Sequence, residues 1–422
     1  MPTITGRSSN AEWRPRPNLL QALACSSVLT LLTACTSHSG TPHTYPHAQE
    51  PIGDVQTMYD GKLSEETAVT TFRNINRLFP VRTIKAGNHP FPLPRRNQPL
   101  GQVAFDYEGK RYSLDDYVSL NRVTGLLVLK DGQVVTERYE KGNTPATRWM
   151  SMSVAKSITS TLVGAALQDG AIHSLDDKVI RYLPSLAGSG YEQATVRQVL
   201  AMRSGVKWSE KYADPTSDRR MMLKLQTEQI PGSALKFMAS LPSAAPAGTR
   251  TNYSTGETQV LGQLVSAAVG KPLAQYLSEK VWAPYGMQSD ANWWLDGPNG
   301  NEVGGSGISA TLEDYGRFGQ FVLSGGKAGD KQVLPNNWMS FASATTGTDA
   351  AYGDFASMWW PAWTAASKAD KAFTAAGIFG QFTYINPTHN VVIVVWQAQT
   401  KATGGEVIDD MVVFDAITKA LQ

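Results

Sequence analysis

The sequence predicts an α/β (α+β) chain in which a mixed sheet, assembled from both ends of the folded part, is flanked by helices and carries a mainly helical insertion. Three observations predict it. A hairpin pattern, Gly125 to Leu129 and Val134 to Tyr139 around the turn Asp131-Gly132, runs directly into a helical pattern from about Ser153 to Asp169. The C-terminal stretch returns to strands, Gln381 to Ile385 and Val391 to Val395, and then to a helix from about Val407 to Leu421. Between them, roughly 171–290 shows helical stretches such as Thr195 to Met202 and Thr258 to Val269, separated by long loops.

Taken in order, the first 34 residues read as a targeting segment. Arg7, Arg14 and Arg16 precede an uncharged, mostly apolar run from Leu19 to Ala34, too short and too polar for a transmembrane helix. Leu32-Thr-Ala-Cys35 resembles the bacterial lipobox, in which the cysteine is lipidated and becomes the mature N-terminus. That implies a lipid-anchored protein of the cell envelope, facing the periplasm from the outer membrane. A tether over 35–60 follows, because Thr36 to Ile52 is rich in Ser, Thr, Pro, Gly and His without periodicity. His38, His43 and His47 lack the spacing and carboxylate support of a metal site, so no metal is expected there. An N-terminal extension over 61–118 carries a helical pattern from Glu65 to Leu78 (Ala68, Phe72, Ile75, Leu78) and a connection punctuated by Pro90, Pro92 and Pro94. The domain of interest spans 119–422. In it, Ile158, Leu162 and Ala165 line one side of the helix that Gly170 stops, and Ile408, Met411, Val412 and Ile417 line one side of the last helix.

Composition narrows the function. At 422 residues, 42% apolar and 18% charged, the chain is globular and long enough for two to four units at about 150 residues each. Its net charge of +2 comes without a basic stripe, which argues against a nucleic-acid partner. Cys25 and Cys35 are the only cysteines, so the folded part has no thiol for a disulfide, an iron–sulfur cluster or a zinc finger. No phosphate loop, His-Glu-x-x-His motif or Gly-x-Ser-x-Gly elbow occurs, and no cofactor is implied. His173 and His389 alone follow His89, without motif support for a Ser-His-Asp triad.

Ser153-Val-Ala-Lys156 places a hydroxyl and an amine about one helical turn apart. A serine hydroxyl attacks only with an adjacent base, and lysine serves when burial favours its neutral form. The pattern recurs as Ser204 to Lys207, Ser233 to Lys236 and Ser324 to Lys327, but only Ser153 opens a strongly apolar helix after a hairpin. An N-cap serine with a surface lysine is the competing reading.

Further along, Trp149-Met-Ser-Met-Ser-Val-Ala-Lys-Ser-Ile-Thr-Ser160, Thr195-Val-Arg-Gln-Val-Leu-Ala-Met-Arg-Ser-Gly205, Pro246-Ala-Gly-Thr-Arg-Thr-Asn-Tyr253 and Gly304-Gly-Ser-Gly-Ile-Ser309 occur in sequence. Together they resemble the serine hydrolases of the class C β-lactamase and penicillin-binding-protein fold, including esterases and 6-aminohexanoate-dimer hydrolases. The similarity covers roughly Leu120 to Gln422. It implies an antiparallel sheet flanked by helices, with Tyr253 as acid/base partner of Ser153 and Lys156, and an oxyanion hole from the backbone N–H groups of Ser153 and Ile378. The family's Tyr-x-Asn is Tyr253-Ser-Thr255 here, so the amide at the third position is lost. Where β-lactamases carry Lys-Thr-Gly, this chain has Ala375-Ala-Gly377. The carboxylate-binding lysine is missing, while Gly377 suits a backbone that approaches a bound acyl group. Tyr212 is the expected substrate-contacting residue of the loop after Trp208. Trp293-Trp294 and Trp359-Trp360 are either pocket walls or core.

The resulting expectation is an envelope serine hydrolase of esters or small linear amides, with a small-molecule substrate and the membrane as its partners. A catalytically silent protein of the same fold, binding cell-wall peptide or a protein partner, is the alternative.

Overall fold

The hairpin forms where the apolar run and the Asp131-Gly132 turn place it: Val123–Lys130 pairs antiparallel with Gln133–Tyr139. Asp131 and Gly132 turn the chain with φ of 54° and 74°, the left-handed pair that a two-residue hairpin needs. The computed structural model describes residues 45–97, 100–344 and 357–422. Its main sheet has six strands in the order Trp360–Pro361, Phe373–Gly377, Gln381–Asn386, Val391–Gln397, Val123–Lys130 and Gln133–Tyr139. Every neighbouring pair is antiparallel, so the sheet is not mixed. The chain ends meet where Val391–Gln397 pairs with Val123–Lys130, placing Val395 opposite Leu126. A sheet shared by both ends cannot be divided between domains. Tyr45–Gln422 is accordingly one compact unit.

The two central strands are apolar at successive positions because both sheet faces are covered. Leu127, Leu129, Val392 and Val394 enter the core that contains the Val154–Gln168 helix. Leu126, Val128, Ile393 and Val395 point the other way, into a core with Met411, Phe414 and Ile417 of the C-terminal helix Asp410–Ala420. Asp409 caps that helix, so it starts three residues later than periodicity indicates.

The helix Val154–Gln168 is buried almost all round, more than a one-sided stripe predicts. Its small residues permit this: a Cβ on Gly164 would lie 2.5 Å from the Trp338 ring. Around it the insertion supplies Val196–Leu200, Asp218–Thr227, Ser233–Ser240 and Thr255–Val269. A second antiparallel sheet, Val81–Ile84, Ala291–Trp294, Ile308–Thr311 and Arg148–Met150, has no counterpart in the sequence reading. Its strands are three or four residues long, too short for alternation to register.

The tether expected over 35–60 holds no such role from Tyr45 onward; residues 35–44, with Cys35, lie outside the described residues. His47 is buried, with Nε2 3.0 Å from Thr147 Oγ1 and Nδ1 3.0 Å from Glu50. Glu50 Oε2 accepts from Arg73 Nε at 2.6 Å, and Asp54 caps a short helix, Val55–Tyr59. Polar residues that read as solvated linker are consumed by specific bonds, a pattern without periodicity. The Glu65–Leu78 pattern breaks at Asn74 into Glu65–Arg73 and a 3₁₀ turn, Ile75–Arg77. Among the described residues no helix is long and apolar enough to cross a membrane.

Candidate active site

Arg148–Met150 delivers the chain to the N-terminus of the buried helix, where Met152 adopts φ 41°. A left-handed conformation at a bulky residue costs about 1–3 kcal/mol and persists only where packing enforces it. Here it turns Ser153 out of the strand direction and to the floor of a cleft of about 970 Å³. Ser153 occupies the cap position but makes no side-chain cap bond. Its Oγ instead lies 2.9 Å from Lys156 Nζ. Lys156 is only 2% exposed, whereas Lys207, Lys236 and Lys327 of the other Ser-x-x-Lys runs face solvent. The reading of an N-cap serine with a surface lysine therefore fails.

The amine has three partners: Ser153 Oγ, Thr255 Oγ1 and the Gly305 carbonyl, each at 2.9 Å. Burial lowers its pKa to about 7; Glu210 opposes this and Arg219 assists it. Near neutrality a substantial fraction is free base. With one proton gone, two N–H bonds still go to Thr255 and Gly305, and the lone pair can face the Ser153 hydroxyl.

Tyr253 lies just before the helix Thr255–Val269 and is 7% exposed. Its phenol pKa is pushed up, first by burial and then by Glu210, against a hydrogen bond with Ser153 and the Arg219 charge. The tyrosine thus rests as a neutral phenol, a hydrogen-bond donor that keeps its proton until it is replaced. Its ring stacks on Trp360 with centroids 5.5 Å apart, and Lys156 Nζ is 5.3 Å from its centroid.

Thr255 carries out both halves of the work that an amide would do at that position. Its hydroxyl accepts from Lys156 and donates to Glu210 Oε1. Glu210 also accepts from the Thr255 backbone N–H at 2.9 Å and from Trp208 Nε1. Sequence reading missed Glu210, which sits in an aperiodic loop 45 residues before its partner. The Gly304-Gly-Ser-Gly307 run was a visible signal for the Gly305 contact.

Opposite the serine runs Phe373–Gly377, turning back into Gln381–Asn386 through Phe379 and Gly380, both at positive φ. A Cβ on Gly377 would fall 2.7 Å from Ser151 O and 2.9 Å from Ser153 N, so glycine is required for this approach. It brings Ile378 to the cleft beside Ser153. Neither the Ser153 nor the Ile378 N–H is hydrogen-bonded within the described residues. Two such donors beside a nucleophile can bind the oxygen of a tetrahedral intermediate.

Tyr212 lines the cleft with Lys211, Arg250, Trp363, Ala376 and Phe382. Ala375 points into the core, fully buried, so neither charge nor donor enters the cleft from it. Two cations, Lys211 and Arg250, reach the cleft from the other wall. Trp293, Trp294 and Trp359 are core residues, and of the two tryptophan pairs only Trp360 walls the cleft.

A family model described as beta-lactamase matches residues 121–417. The chain belongs to the beta-lactamase family. It is a serine hydrolase by that membership, and the family's relatives include amidases and esterases. A 6-aminohexanoate-dimer hydrolase of Paenarthrobacter ureafaciens is 30% identical over 283 residues, covering 64% of this chain and 70% of that one. Among solved structures, a Bacillus anthracis protein provisionally assigned as 6-aminohexanoate-dimer hydrolase superposes with a TM-score of 0.72 at 23% identity, covering 80% of this chain and 90% of that one. EstCE1, a hydrolase with promiscuous acyltransferase activity, gives 0.58 at 16% identity, over 73% of this chain and 96% of that one. At these identities the structures establish the fold: a β-lactamase-like arrangement of antiparallel sheets and helices.

Proposed function

We propose that this family member cleaves small carboxylic esters and linear amides through an acyl-enzyme on Ser153. One observation carries the reading: a buried lysine amine, held near pKa 7, lies 2.9 Å from a serine hydroxyl at the floor of an open cleft. Ser153 Oγ attacks the substrate carbonyl carbon, and its proton passes to neutral Lys156. The carbonyl oxygen, now negative, takes the Ser153 and Ile378 N–H bonds. As the intermediate collapses, Tyr253 protonates the departing alkoxide or amine, and Lys156 returns a proton to the phenol. Water then attacks the acyl carbon, giving its proton to the same pair, and Ser153 leaves as the hydroxyl. Tyr212 and Gly377 contact the substrate in this scheme.

The linear amide in the name of the Paenarthrobacter relative and the esterase neighbour support a substrate without a β-lactam ring. Ala375 supports it too, by leaving the β-lactam carboxylate without its usual lysine. We further propose that Cys35 carries lipid and anchors the enzyme in the cell envelope, facing the periplasm. Mass spectrometry of native protein should find no unmodified peptide spanning Ala34-Cys35.

Exposure of the full chain to a fluorophosphonate, followed by intact-mass measurement, tests the activity. A stoichiometric adduct on Ser153 is expected, and its absence would favour the silent binding protein.

A further inference from the structure

We propose that Tyr59, from the segment preceding the family domain, is a positioning residue for the Ser153–Lys156 pair, acting through Arg219 and Glu210. The inference rests on the hydrolase reading above. The family match begins at residue 121, yet the short helix Val55–Tyr59 reaches the site's supporting layer. Tyr59 is 2% exposed, and its hydroxyl accepts a hydrogen bond from the Arg219 guanidinium, which also lies 4.9 Å from its ring centroid. Arg219 Nε stands 4.0 Å from Glu210 Oε1. That oxygen accepts from the Thr255 hydroxyl, and Thr255 Oγ1 accepts from Lys156. A continuous line of polar contacts therefore joins the Val55–Tyr59 helix to the nucleophile's base.

The same helix holds the site in two other ways. The neighbouring Arg220 is fixed by Asp60 at 2.8 Å and by Gln56, while it donates to the Tyr212 carbonyl at 3.0 Å. The Tyr59 ring meets Phe379, the residue after Ile378, edge-on at 6.1 Å, and Tyr212 at 6.5 Å. One residue of the segment read as a tether thus touches the loop carrying Glu210 and the turn carrying an oxyanion donor.

The charged and titratable groups around Lys156 are Glu210 from the 208–214 loop, Arg219 from the Asp218–Thr227 helix and Tyr253 ahead of the Thr255–Val269 helix. Arg219 favours the neutral amine and Glu210 the charged one. Without the Tyr59 hydroxyl the guanidinium loses its fixed place, and the balance moves toward the charged amine.

The test uses full-length Tyr59→Phe, which keeps the ring, with p-nitrophenyl butyrate as substrate. Expected are a kcat lowered about fivefold at pH 7 with KM within about twofold, and an acid limb of kcat/KM displaced upward by about one unit. In an Arg219→Gln background the same change should add little, because the contact is already gone. A kcat within twofold of wild type with an unmoved pH profile would overturn the inference, as would full additivity with Arg219→Gln. Should Tyr59→Phe fail to fold, Arg219→Lys, which keeps charge but loses the planar fork, must show the same displaced limb. Failure of the underlying reading looks different: wild-type protein would form no fluorophosphonate adduct on Ser153, overturning both.

Discussion

Replacing Thr255 by Val keeps the side chain's shape and removes one oxygen, and that oxygen stands between the two buried charges of the site. Thr255 is 2% exposed, so no water takes its place freely. Lys156 loses an acceptor at 2.9 Å and Glu210 loses a donor. A hydrogen bond to a charged group contributes about 1.5–3 kcal/mol. Because the neutral amine keeps a weaker bond to Thr255, only the difference of about 1–1.5 kcal/mol between the charged and neutral bonds counts, a pKa lowered by about one unit from its value of about 7. The acid limb of kcat/KM should accordingly move to lower pH. Activity should still fall, by about ten- to a hundredfold at pH 8, because the amine is no longer held against Ser153. Glu210, with one donor fewer, should cost about 1–3 kcal/mol of stability. Thr255→Asn is the informative partner variant. An amide offers an oxygen to Lys156 and an N–H to Glu210, the same two functions as the hydroxyl, so it should retain activity within about tenfold. Full pH profiles with p-nitrophenyl butyrate and melting curves for both variants provide the assay. A Val variant with wild-type kcat/KM and an unshifted limb would refute the reasoning, since the bridge would then do nothing for the base.

Ser153→Ala should abolish ester turnover without lowering the melting temperature by more than about 2 °C, since no cap bond is lost; Lys156→Met should be nearly as inactive, and wild-type rates in either would reject the assignment. Glu257, buried with Oε1 on Ser204 and Oε2 unpartnered, has its pKa raised to about 8 by burial. A folded-state pKa above the unfolded value means stability present at low pH and lost as pH rises through about 8, so Glu257→Gln should gain in melting temperature over wild type with increasing pH; a constant difference from pH 5 to 9 would contradict this. Because an amide demands more precise placement of Tyr253 than an ester, kcat/KM for p-nitrophenyl butyrate should exceed that for 6-aminohexanoate dimer, and because Ala375 supplies no cation both should exceed that for nitrocefin; a clear preference for nitrocefin would overturn this ranking.

The parts of the site that sequence made legible are those encoded contiguously. Ser153 and Lys156 share a helix turn, Tyr253 follows a recognisable Pro-x-Gly-Thr run, and Gly377 marks a strand so close to the serine that an added Cβ would fall 2.9 Å from Ser153 N. The central strands were legible because burial on both faces leaves an unbroken apolar run. What stayed hidden is held by single contacts across long separations. Glu210 belongs to no periodic element, the short strands Val81–Ile84 and Ala291–Trp294 carry too few residues for alternation, and the 45–60 segment reads as linker because its anchors are polar.

Thr255 shows why the same limit matters for function. Judged by its motif, a hydroxyl in place of an amide is a defect in the machinery. Judged in place, it is one member of a pair, because Glu210 accepts from the hydroxyl and so leaves an oxygen lone pair for Lys156. A neutral amide can hold a lysine unaided; a hydroxyl, free to rotate, needs a fixed acceptor to orient it. The carboxylate that orients it also pulls Lys156 toward its charged form, an effect that Arg219 offsets. The substitution at one motif position therefore requires a carboxylate, the carboxylate requires a cation, and the cation rests on Tyr59. On this argument the departure from the family pattern and the packing of the Val55–Tyr59 helix are two ends of one electrostatic arrangement. Restoring the amide with Thr255→Asn should then make the enzyme less sensitive to Tyr59→Phe, and an undiminished loss in that double variant would separate the two.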